Sequence, residues 1–494
     1  MALRLDLAIP RDPLQFAALP DPSAVPPSQA AAPSLARRLG PVDATLVVMG
    51  GIVGSGIFMN PSLVAREVHT PALILGAWLV GGVIAVLGAF VWAELASRRP
   101  QVGGQYAYLR EAYHPVLGFV YGWGFLLVTL SGGMAAVAVT FARYARELGI
   151  AIPEAATATA ALVALTVINC FGVRAGASSQ NLFMVLKMVA IAGLVVGGAI
   201  FAPGHSEVTG AVLDRPVSLG LMTAFGAALG PVLFAYGGWQ TASFLAGEVR
   251  DPRRNLPRGL LLGVGGVIVL YLSVSWVCLR VLGPAGLAAT STPASDVMRV
   301  AFGPLGGKLI AAGIAISTLG FLSQSMLTGP RLYYAMAADG AFFKSVAYVD
   351  PRTRVPVVAI VLQGLVAIAI AWSGSYEQIL SYVVASDWLF FALAASCLLA
   401  LRRLDRERGE DEATFHSPGH PATTIAFVVI ALVVVANTIY RYPVNSAIGI
   451  LILLAGVPVW WLWTRANRRR AARQSARAAE GLPAAEPPGT DAQA

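Results

Sequence analysis

Two glycine-rich stretches, each inside an apolar run, are where this chain is equipped to do chemistry. The first reads Val47-Val48-Met49-Gly50-Gly51-Ile52-Val53-Gly54-Ser55-Gly56-Ile57-Phe58. The second carries Gly226, then Gly230-Pro231, then Phe234-Ala235-Tyr236-Gly237-Gly238-Trp239. Each glycine weakens a helix by about 1 kcal/mol relative to alanine, and proline removes a backbone donor outright. In apolar surroundings, backbone leaves the helix only where it is packed in protein or lines a cavity. Both stretches are therefore expected to be breaks around one central site. Close packing through small residues is the plainer alternative for either stretch alone.

The chemistry of such a site follows from the groups a break sets free. A break in the first stretch exposes amide N–H groups near Ser55, Gly56 and Ile57, at the positive start of a half-helix, and these favour a carboxylate. The same break frees carbonyls near Ile52, and the second stretch frees them near Phe234 and Ala235. Carbonyl oxygens favour an ammonium group. An anion cradle beside a cation cradle, with no fixed charge of its own, suits a zwitterion, and an α-amino acid is the obvious case. Its side chain would point into a pocket near spans 3, 6, 8 and 10.

The rest of the chain is built to hold such a site in a membrane. It has 494 residues, 56% hydrophobic and 12% charged, with a mean hydropathy of +0.69. A soluble protein carries roughly twice that charged fraction. Twelve apolar runs approach the ~20 residues a helix needs to cross the hydrocarbon core. They are 43–66, 72–96, 116–142, 155–173, 180–202, 218–247, 257–282, 305–328, 355–373, 379–401, 423–440 and 444–464. The net charge of +9 would suggest nucleic acid in a soluble protein. Here the basic residues flank spans, so a bilayer is the expected partner and nucleic acid is not. Assigning loops to alternate sides puts 26 of 35 Lys and Arg on the side of both termini and eight on the other. That asymmetry places both ends in the cytoplasm. The two stretches fall in spans 1 and 6, five spans apart. Five is odd, so a second five-helix unit enters from the opposite face, and matching breaks in inverted units point to a transport site.

The expected organisation is a disordered cytoplasmic tail (1–40) and a transporter core (41–404) with repeats at about 43–202 and 218–401. Spans 11 and 12 (405–465) and a second disordered tail (466–494) follow. No run of signal-peptide make-up occurs in the first forty residues. The three cysteines, Cys170, Cys278 and Cys397, lie in apolar runs and make neither a disulfide framework nor a four-cysteine zinc site. The five histidines fall in loops or at helix ends, which argues against a metal centre or a histidine proton relay. No cofactor is expected. The spans lack the clustered acids, nucleophiles or ligands of an enzyme.

Few polar residues sit within the spans. Glu94 and Asp43 lie near span ends and are read as structural. Asp387, beside Ala385-Ser386 and Trp388, is placed near a cavity or an interhelical hydrogen bond. Lys187 lies two turns inside span 5, where an ammonium costs a few kcal/mol unless it has a purpose or snorkels to the interface.

The stretches GGIVGSGIFMNP (50–61), GGQYAYLREAYHPVLGFVYGW (103–123), FAYGGWQTASFLAGEVRDPRRNLP (234–257) and RLYYAMAADG (331–340) occur in this order. In them the chain resembles the amino acid–polyamine–organocation superfamily, and within it the L-type amino-acid transporters and bacterial exchangers. The resemblance covers about residues 40–405. It implies an all-α integral membrane protein of twelve transmembrane helices, a LeuT-type 5+5 inverted repeat with discontinuous helices 1 and 6. It implies substrate at Ile52, Gly54, Ser55, Gly56 and Ile57 and at Phe234, Ala235, Tyr236 and Gly237, with Phe234 as an aromatic gate. For Tyr236, ordinary core packing is an equal alternative.

Lys187 falls where the family's helix 5 lysine replaces a sodium ion, holding helix 1 carbonyls against Ser317 or Thr318. Transport would then need no sodium, and the lysine is also a candidate proton carrier. The implied activity is secondary active transport of amino acids. Neutral substrates are favoured because spans 1, 3, 6 and 8 supply no acid at the expected depth. A polyamine or cationic amino-acid carrier is the alternative. Some relatives pair with a glycoprotein through a cysteine after helix 3. The loop at about 147–154 has none, so no disulfide-linked subunit is expected. Arginine-rich loops fit a bacterial inner membrane.

Overall fold

A computed structural model describes residues 40–100, 103–171, 173–204, 212–213, 216–240, 243, 249–353, 355–409 and 413–479, with no side chains for 173–185, 468 and 470–479. The expected N-terminal tail therefore lies outside the described residues, save Gly40. Among the described residues the fold is all helix, with no strand. The helices are α1 (Pro41–Ile52), α2 (Gly56–Glu67), α3 (Pro71–Arg98), α4 (Gln105–Ala112), α5 (Pro115–Gly124), α6 (Leu130–Glu147), α7 (Glu154–Cys170) and α8 (Val173–Phe201). They continue as α9 (Leu219–Tyr236), α10 (Pro252–Ala289), α11 (Pro293–Ala338), α12 (Val357–Ala371), α13 (Tyr376–Arg408), α14 (Ala422–Arg441) and α15 (Pro443–Ala479). A π turn, Phe125–Thr129, joins α5 to α6.

Local sequence starts and bends these helices. Proline stands in the first turn of α1, α3 and α5, where a missing N–H costs nothing. Asp43 Oδ2 accepts from the Gly40 amide at 2.8 Å. Thr70 Oγ1 caps α3 by accepting from Leu73 N. Ser375 and Gln378 exchange side-chain and backbone bonds in a capping box at the head of α13. Helices α10 and α11 kink at Gly283 and at Phe302-Gly303, each just before a proline.

By length and composition, eight helices among the described residues can cross a membrane, nine if the bent pair α1–α2 is one span; 154–170, 186–201 and 357–371 are shorter apolar helices. Their surfaces are inverted relative to a soluble bundle. Leu262, Val269 and Leu365 are 59–67% exposed, while Asn60, Lys187, Thr318 and Gln363 are buried. Apolar outside and polar inside is the arrangement lipid demands.

One boundary differs from expectation. Helix α15 does not end near residue 465 but runs through the arginine cluster to Ala479, because alanine and arginine are strong helix formers. Residues 480–494 lie outside the described residues. Helix α9 stops at Tyr236, inside the break expected in span 6, and most of that span beyond Gln240 lies outside the described residues.

Where α3, α13 and the segment before α14 meet, a buried ion-pair lattice ties them together. Glu94 accepts from Arg98 Nε at 2.8 Å, from Arg402 Nε and Nη2 at 2.7 Å each and from the Ser417 amide at 2.7 Å. Asp405 accepts from Arg98 Nη1 at 2.8 Å and Arg99 Nη2 at 2.6 Å. Arg99 reaches on to Glu111, just outside the spans, at 2.8 Å. Glu94 is thus structural, as its end position suggests.

Candidate functional site

The first glycine stretch leaves the helix between Ile52 and Gly56, and α1 and α2 meet there at 44°. Val53 has left helical geometry, with ψ near 85°. No acceptor among the described residues takes the amide of Ser55, Gly56 or Ile57. Ser55 Oγ is buried without a hydrogen-bond partner. The nearby Tyr376 hydroxyl donates instead to Asn60 Oδ1 at 2.9 Å.

The second stretch leaves the helix at Gly237. Gly238 takes φ +111°, a conformation glycine adopts without strain. A side chain at Gly238 would strike the Gly51 carbonyl, and one at Gly56 would lie 2.7 Å from Ala235 Cα and Cβ. Both breaks therefore touch, backbone to backbone. Beyond Gln240 the rest of span 6, save Ser243, lies outside the described residues.

Tyr271 of α10 spans the junction. Its hydroxyl lies 3.1 Å from Ile52 O and 3.1 Å from Ala235 O. These are two of the carbonyls the breaks were expected to free, and one hydroxyl proton serves only one of them at a time.

A partly open cavity lies against the two breaks. Ile52, Gly54, Ser55, Gly56, Phe234, Ala235 and Gly237 line it. Of the expected substrate residues, Ile57 and Tyr236 do not. Ile57 is wholly buried. Tyr236 turns away, donates to Trp78 O at 3.2 Å, and packs its ring 5.9 Å from Trp78 and 5.1 Å from Tyr271. The Tyr236 side chain is packed in the core.

Lys187 reaches the same break from behind. It is 3% exposed, and its Nζ donates to Val53 O at 2.5 Å. No hydrogen bond joins it to Ser317 or Thr318 among the described residues. Thr318 Oγ1 donates to Ala315 O at 2.8 Å, and Ser317 Oγ is buried without a partner.

The far wall of the cavity comes from spans 3, 8 and 10, where the pocket was expected, and it includes Asp387; its other residues had not been singled out. Phe125 and Thr129 come from the π turn, Gln324, Ser325 and Thr328 from α11, and Val383 and Asp387 from α13. Their spacing of about four residues is the signal that would have found them, once their helices were known to face the site. Among the described residues no cluster of His, Cys, Asp and Glu forms a metal site.

A cavity set against breaks in two apolar helices and lined by free backbone groups is the make-up of a carrier. Residues 39–463 match the amino acid permease family. Over 437 residues the chain is 31% identical to the serine/threonine exchanger SteT of Bacillus subtilis, covering 86% of this chain and 97% of that protein. It is 28% identical to the b(0,+)-type amino acid transporter 1 of Homo sapiens, over 76% of this chain and 78% of that one. With the large neutral amino acids transporter small subunit 2 of Homo sapiens the identity is 26%, over 87% and 81%. The chain belongs to the amino acid permease family. It is a multi-pass membrane protein of a family of transporters, not of enzymes.

Proposed function

We propose that this permease is a secondary carrier of L-amino acids that works by alternating access without sodium. The observation that carries the reading is the pair of touching breaks, whose unpartnered Ser55 and Gly56 amides share one cavity edge with the Phe234 and Ala235 backbone. The amides take the substrate carboxylate and the carbonyls its ammonium group. Phe234, half-buried beside them, closes over the bound molecule.

In this reading the eight long helices, the bent pair and the three shorter apolar helices are twelve spans. They form a LeuT-type pair of inverted five-helix units with both termini in the cytoplasm, in a bacterial inner membrane. Lys187 fixes a positive charge on the Val53 carbonyl at 2.5 Å, the place a coupling sodium would hold, and is a candidate to carry a proton. No disulfide-linked glycoprotein subunit is proposed, since residues 148–153 between α6 and α7 contain no cysteine.

Two substrate readings stand. Spans 1, 3, 6 and 8 supply no acid, which favours neutral amino acids. Asp387 of span 10 lines the cavity and favours a side chain that carries a donor. Saturable uptake of labelled amino acids into proteoliposomes, with counterflow, tests the carrier. A linear, unsaturable flux would show a channel, and no flux would overturn the reading.

A further inference from the structure

Asp387 is the one ionisable group among the described residues that line the cavity. No described residue gives it a hydrogen bond or an ion pair. Its level in the bundle is set by its neighbours. Gly132 abuts Val383, and Tyr121 meets the Phe390 ring edge-on at 5.3 Å. Asp387 therefore lies level with the π turn Phe125–Thr129. Gly329 abuts Leu130, which sets Thr328 of α11 beside the same turn.

Two further polar groups face this end of the cavity without partners. Thr129 Oγ1 is buried, 7% exposed, and has no hydrogen-bond partner. The Gln324 side-chain amide, 8% exposed, has none among the described residues. The turn itself has a physical meaning. A π turn spends a helical hydrogen bond to widen the backbone, and such turns recur at functional sites. Here it presents Thr129 to the cavity. An acid, a hydroxyl and an amide left unsatisfied together in an apolar bundle are costly unless a ligand satisfies them.

We propose that Asp387, with Thr129 and Gln324, reads the far end of the substrate side chain and selects amino acids ending in a cation over their apolar isosteres. This rests on the carrier reading above, with the α-amino and carboxyl groups held at the two breaks. It assigns the opposite end of the same cavity. An isostere that lacks the cation leaves all three groups unpaired, which is the strongest form of rejection a pocket has.

Lysine and norleucine differ only in the terminal ammonium, so they isolate this term. Binding of each is measured by thermal shift and by competition for uptake, using the full-length protein in liposomes. Lysine is expected to bind about tenfold tighter or better than norleucine. Asp387→Asn is expected to erase that ratio while norleucine affinity stays within about threefold. Asp387→Glu, which keeps the charge, is expected to retain a preference for lysine even if Asp387→Asn fails to insert. A wild-type protein that favours norleucine, or a ratio unmoved in Asp387→Asn, overturns the proposal, the second outcome leaving Asp387 a proton carrier at most. If no amino acid binds the wild type, the carrier reading falls first and this inference falls with it.

Discussion

The two polar regions of this bundle solve the same problem in opposite ways. In the lattice around Glu94 and Asp405, every carboxylate oxygen meets a guanidinium or an amide at 2.6–2.8 Å. At the breaks, the Ser55, Gly56 and Ile57 amides and the Ser55 hydroxyl meet nothing among the described residues, nor does the Asp387 carboxylate at the other end of the cavity. Both regions are buried in apolar surroundings, where an unmet polar group costs free energy. A lattice that is fully met holds helices together, and a set of groups left unmet waits for a ligand. Polar residues inside a membrane thus fall into two kinds, and their hydrogen bonds tell them apart.

Substitutions break or sharpen this contrast. The largest effect on transport is expected from Gly56→Leu, whose first side-chain carbon would already lie 2.7 Å from Ala235. Amino acid binding should be lost in a thermal-shift assay while the protein still inserts. Normal affinity would end the assignment of the carboxylate cradle. Lys187→Ala should abolish or uncouple uptake by freeing the Val53 carbonyl; unchanged uptake would refute a coupling role.

Glu94→Gln should act on stability instead. It breaks a buried pair and leaves Arg98 and Arg402 short of a partner, at a cost of about 3 kcal/mol. The melting temperature should fall with KM unchanged. A change in KM without a fall in melting temperature would erase the contrast between the regions. Tyr271→Phe should have a smaller effect, about 1 kcal/mol, because it removes one shared hydrogen bond and leaves the ring in place. An altered substrate affinity would show that the hydroxyl competes with the ammonium group for Ile52 and Ala235. The smallest effect is none. Uptake should persist when choline replaces sodium, and strict sodium dependence would sink the lysine reading.

Most of the frame was legible in the chain. The break at Gly54-Ser55 follows from glycine content alone, and α1 ends within the stretch that predicts it. The stop of α9 at Tyr236 falls inside the second stretch for the same reason. The lattice was not legible. Glu94 and Asp405 are more than 300 residues apart, and nothing in either local sequence announces the other. The far wall of the cavity was legible only as spans 3, 8 and 10 and as Asp387. Thr129 and Gln324 are ordinary polar residues until their helices turn them toward one space.

Hydropathy, glycine spacing and the charge of the loops are properties of the chain read in one dimension. They decided that it is helical and apolar, and where its backbone gives way. Which face of each helix meets which neighbour depends on rotation about the helix axis and on crossing geometry, and packing sets these from distant segments. Only tertiary structure therefore turned Tyr236 into the core, brought the Tyr271 hydroxyl to two carbonyls at once, and set Thr129 and Gln324 beside Asp387 on the cavity.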